Sequence, residues 1–118
     1  MSGGNGRGPD DGGEGPAGRG LLAELVLAVV DQLAGVDRID DDDGAVWRRA
    51  GRPFAALASV ALEVRLQAPV AHAALRTPDT AASKRGEGWV RFAPASLDRF
   101  AADRVAAWLE SAWRHAVD

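Results

Sequence analysis

The chain of 118 residues contains no cysteine, which excludes a disulfide framework, a thiolate metal site and a cysteine nucleophile. Histidine is scarce as well. His72 and His115 fall on separate expected helices, neither with a second histidine three or four residues on, so a zinc site would have to borrow distant carboxylates. His72 reads as a surface or core-edge residue and His115 as a helix-end cation; no metal or cofactor is expected. Long apolar runs are missing too. The stretch Leu21 to Val30 is interrupted by Glu24 and is far shorter than the ~20 residues that cross a bilayer. With no basic segment leading into an apolar stretch and a cleavage site, the expected compartment is the cytoplasm.

Lysine is almost absent, at one of fourteen cations. The rest are arginines, a bias that a GC-rich genome also produces. Residues 1–19 lack any aliphatic side chain larger than Met1 and Ala17, and nine of the fourteen glycines lie in the first twenty positions. Such a segment cannot bury enough apolar surface to offset the entropy of ordering it, so 1–19 is expected to be a disordered tail and 20–118 a single domain. The net charge of −3 is unevenly spread. Five aspartates crowd into 37–43, whereas the chain from Gly44 onward has a balance of +4. The acidic segment is expected to be a solvated loop. It has neither the alternating acids nor the distal glutamate of a calcium loop.

What is present is periodicity. Leu22, Leu25, Val26, Val29, Val30 and Leu33 recur at helical spacing, with Gly35 as the stop. Val46 to Arg49, Pro53 to Leu57 and Val60 to Leu66 read as three strands of a meander, turning at Gly51. In the third, Val60, Leu62, Val64 and Leu66 alternate with Ala61, Glu63 and Arg65, placing an aliphatic row on a core and a charged row toward water. Pro53 suits an edge position. Pro69 opens a short helix through Leu75, Thr77 to Gly88 has loop composition, and Trp89 to Ala93 alternates as a strand. A long helix from Ser96, its expected N-cap, to Ala116 closes the chain, with Phe100, Ala101, Val105, Trp108, Leu109 and Ala112 as its buried stripe. Phe100 and Trp108 are expected to seal the sheet.

The expected fold class is therefore α+β: an antiparallel sheet of about four strands, a meander plus one strand, with an N-terminal helix, a short helix and a long C-terminal helix. Catalytic signatures are wanting. Ser59, Ser83, Ser96 and Ser111 sit in no G-x-S-x-G context. Asp98 and Asp103 point in different directions on one helix, so no catalytic residues are assigned. Lys84 to Gly88 places two cations beside two glycines, which reads as a solvated turn or as an anion nest. Trp89 and Arg91 would share a sheet face with Glu63 and Arg65, a pairing of aromatic and cations able to stack bases and hold phosphates, or simply a packed tryptophan edged by arginines. Trp47, Arg48, Arg49 and Arg52 would extend that basic surface.

The segments Gly51-Arg52-Pro53-Phe54-Ala55, Val60 to Leu66, Val70 to Leu75 and Gly88-Trp89-Val90-Arg91-Phe92 together resemble the TfoX amino-terminal domain and its relatives of the MmcQ/YjbR type, over about residues 44–116. That resemblance implies a small α+β domain without established catalytic residues, of a kind often proposed to bind nucleic acid or to act as a regulatory adaptor. The expected function is thus a non-enzymatic binding or regulatory module for nucleic acid or a protein partner, with Arg49, Arg52, Arg65, Lys84, Arg85, Trp89 and Arg91 as binding residues. A second reading is a protein-interaction or homo-oligomerisation domain, monomer or homodimer, built on an exposed Trp113. A third is a small-molecule enzyme using His72, Asp79, Arg85 and Arg91.

Overall fold

The computed structural model describes residues 14–42, 44–58 and 60–117. Residues 1–13 of the expected tail lie outside that range. The chain runs α1 (Glu14–Val30), β1 (Val36–Asp41), β2 (Gly44–Arg49), β3 (Arg52–Ala58), β4 (Ala61–Arg65), α2 (Ala68–Ala74), β5 (Thr80–Ala82), β6 (Trp89–Phe92) and α3 (Arg99–His115). Its six strands form one antiparallel sheet in the order β1-β2-β3-β4-β6-β5. The fold is α+β, with two strands more than expected. No helix among the described residues is long and apolar enough to cross a membrane.

The first added strand is made from the acidic segment. Val36 to Asp41 pairs residue for residue with β2, and Asp37 meets Arg48 across the ladder in an ion pair. The solvated loop expected at 37–43 therefore shrinks to the turn after Asp41, whose carboxylate accepts the Gly44 amide at 2.9 Å; Asp43 lies outside the described residues. Aspartate opposes strand structure in isolation, but an edge strand tolerates charge because one side of its ladder faces water. The second added strand, β5, occupies three residues of the expected loop. Asp79 at φ 68 makes the turn into it, and the Thr80 hydroxyl donates to the Ala74 and Thr77 carbonyls.

Hairpin β2–β3 turns on Ala50 (φ 53) and Gly51 (φ 77), the two positive φ values of a two-residue turn whose twist matches the strands. β3 is an interior strand, against the edge position expected for Pro53. The proline is accommodated because β3 joins β4 only from Ala55 onward, and because β2 is irregular between Trp47 and Arg48.

One sheet face carries Leu62, Val64, Val90 and Phe92, all buried with Leu22, Val26 and Val30 of α1 and Ala101, Val105, Leu109 and Ala112 of α3. Trp47 joins the same core. Val60, expected to begin the aliphatic row, is 38% exposed in the turn before β4. The closing helix is capped by Asp98, which accepts the Ala101 amide at 2.8 Å, and not by Ser96. Phe100 then falls one position off the buried stripe and is 63% exposed, so it seals nothing. Trp108 takes that role alone, set edge-on against Phe92 with ring centroids 5.1 Å apart.

Candidate nucleic-acid interface

The register between β4 and β6 sets Glu63 opposite Arg91 and Arg65 opposite Trp89. Because side chains alternate along a strand, these four share the face opposite the Leu62, Val64, Val90 and Phe92 row. Ser83 follows β5 and donates its backbone N–H to the Trp89 carbonyl at 3.0 Å, which brings the 83–88 loop over this same face.

Glu63 does not face water as the alternation implied. It is only 8% exposed, and both carboxylate oxygens are engaged: Oε2 accepts the Ser83 hydroxyl at 2.6 Å and Oε1 accepts Arg85 Nε at 2.6 Å. Arg85 in turn donates its backbone N–H to Ser83 Oγ at 3.1 Å and holds its guanidinium 5.7 Å from the Trp89 ring centroid. A buried carboxylate must be paired to be tolerated, and here the pairing pins the loop to the sheet. The loop closes tightly, with the Trp89 amide donating to the Gly86 carbonyl and the Leu66 amide to the Gly88 carbonyl. Gly88 has φ +84, and an added Cβ would lie 3.0 Å from the Leu66 carbonyl oxygen. Within the loop, the Ser83 and Arg85 N–H groups are engaged internally, by the Trp89 carbonyl and by Ser83 Oγ.

The seven residues expected to bind divide into two groups. Arg65, Lys84, Arg85, Trp89 and Arg91 gather on this face and its loop. Arg85 is neutralised by Glu63, while Arg65, Lys84 and Arg91 are ion-paired to no described carboxylate. Arg49 and Arg52 lie elsewhere. Their guanidinium groups donate to the Trp113 and Ala116 carbonyls at the end of α3, at 2.9 and 3.3 Å, where a helix presents unpaired C=O groups. The expected basic surface extending through Trp47, Arg48, Arg49 and Arg52 does not form: Trp47 is buried and Arg48 is spent on Asp37.

A cleft of about 450 Å³ beside the patch is lined by Lys84, Arg85 and Arg91, and also by Glu63 and Asp41. Asp41 puts negative charge at one end, so an anion is favoured toward the Arg65 and Trp89 end. The tie between Glu63, Ser83 and Arg85 was missed in the sequence, because Glu63 lies twenty or more positions from the other two and no local spacing signals it. Trp113, expected to be exposed, is half-buried; its Nε1 donates to the Ala34 carbonyl at 2.8 Å and its ring packs under Arg49. Nor do the four residues of the enzyme reading converge. His72 sits on α2, and Asp79 is a turn residue whose carboxylate accepts the Ala95 amide, whereas Arg85 and Arg91 line the cleft.

No family model matches the chain, and comparisons with curated proteins and with solved structures find no match either.

Proposed function

We propose that this protein is a non-enzymatic binding module that takes single-stranded nucleic acid on the sheet face around Trp89. The observation that carries the reading is the sheet face on which Arg65 stands opposite Trp89 and Arg91 two residues along, with Lys84 beside Arg91 in the adjoining cleft and none of the three in an ion pair with a described carboxylate. Arg91 lies two residues from Trp89 on the same face, about 7 Å along the strand, so one base stacked on the ring leaves phosphates within reach of cations on either side. The resemblance of residues 44–116 to TfoX-type domains points the same way. The protein-interaction alternative has lost the exposed Trp113 that motivated it.

The test is binding of short DNA and RNA oligonucleotides, followed by fluorescence polarisation at low and high salt. Phosphate contacts made by a few cations weaken steeply as salt rises. Absence of binding at low salt ends the proposal.

A further inference from the structure

The two histidines, far apart in sequence and each alone on its helix, come together in space. His72 of α2 and His115 in the last turn of α3 line a single cleft of about 440 Å³, in company with Arg65, Glu87, Leu66 and Leu75. That volume lies within the range of small-molecule sites, which typically combine an apolar lining with a few convergent polar groups. The charges decide what such a cleft favours. Arg65 and Glu87 offset one another, and each histidine adds positive charge or none, since imidazole is either cationic or neutral. The lining is thus never net negative. Among the described residues no three metal-binding side chains converge in a way that could hold an ion, so two histidines and one glutamate do not make a metal centre here.

We propose that this cleft binds a small organic anion with an apolar body, a carboxylate or phosphate monoester whose acid group meets Arg65, His72 and His115 and whose hydrocarbon lies against Ala68 and Leu75. The site is separate from the nucleic-acid face except that Arg65 borders both. Its test is therefore placed on the residues the two do not share.

Sodium octanoate titrated into the full chain is followed through the imidazole proton resonances, which belong to only two residues and so report on the cleft directly. Octanol and inorganic phosphate are separate arms. Octanoate should shift both imidazole signals saturably. Leu75→Glu, at a position 40% exposed, should abolish the effect while circular dichroism shows the fold intact. Should that variant not fold, His72→Gln, at an exposed position on α2, should weaken octanoate binding about tenfold, the loss of one hydrogen bond to a charged group, with the His115 signal as the reporter. Equal saturation by octanol overturns the proposal, as does saturation by phosphate alone, which would leave the apolar wall without a part. In the unaltered protein, a shift confined to one imidazole, or none at all, overturns it as well.

Discussion

Arg49 lies flat against Trp113, its guanidinium carbon 3.7 Å from the ring centroid, while its Nη1 donates to the same residue's carbonyl. Trp113 reaches on to the Ala34 carbonyl in the turn between α1 and β1. One side-chain pair thus ties β2, the end of α3 and the end of α1 together, using a planar cation both as a stacking partner and as a cap for an unpaired helix carbonyl.

Replacing Arg49 should therefore affect stability and leave ligand binding alone. Arg49→Ala is expected to cost about 1 to 2 kcal/mol from the lost stacking and hydrogen bond, lowering Tm by roughly 5 to 10 °C for a domain of this size. Arg49→Lys should recover little, because an ammonium cannot stack and cap at once. Thermal denaturation of the three proteins checks both statements.

Glu63 should prove costlier to remove than any surface carboxylate. Glu63→Ala leaves Ser83 and Arg85 without the acceptor that holds the loop, and is expected to destabilise by about 2 to 3 kcal/mol. Ser83→Ala should cost about 1 kcal/mol. Urea unfolding measures the difference; equal, negligible effects would mean that the carboxylate is solvated in solution.

The two hairpin turns should respond in opposite directions. Ala50 holds a left-handed conformation unfavourable to any residue with a Cβ, so Ala50→Gly should stabilise by about 1 kcal/mol. Gly44 has φ +149, and an added Cβ would sit 2.0 Å from the Leu57 carbonyl oxygen. Gly44→Ala should destabilise by roughly 2 to 4 kcal/mol, since backbone atoms of β3 cannot move aside cheaply. Paired melting curves decide.

If oligonucleotides bind where proposed, single alanine variants of Arg65, Lys84 and Arg91 should each reduce the slope of log affinity against log salt by about one. Arg52→Ala, whose guanidinium is occupied at the end of α3, should leave the slope unchanged. Uniform loss across all four variants would show that binding follows overall charge and not this face.

Much of the fold could be read from periodicity. The amphipathic spacing of α1, the alternation in β6 and the polarity of α3 with Arg114 and His115 in its last turn stand in the structure, while β4 keeps Leu62 and Val64 on the core but buries Glu63 as well. β1 and β5 escaped because their pairing is a tertiary event: one strand is mostly aspartate, the other three residues long, and neither shows a period of its own. Phe100 was misplaced because it lies in the first turn, one position before Ala101, where the buried stripe of Ala101, Val105, Leu109 and Ala112 begins. Of the candidate site, β4 and β6 put Arg65, Trp89 and Arg91 on one face as alternation implied. The diversion of Arg49 and Arg52 could not be anticipated, because it depends on where the last helix ends.

The aspartates of β1 have a consequence for the protein in a crowded cell. A sheet margin offers open N–H and C=O groups to any other strand that drifts past, and that is how fibrils recruit. Here the margin carries Asp37, Arg38, Asp40 and Asp41, all exposed, so covering it with a second strand means stripping water from four charged side chains. The acidic segment expected to be a solvated loop is thus a charged edge strand, of the kind that resists joining another ladder.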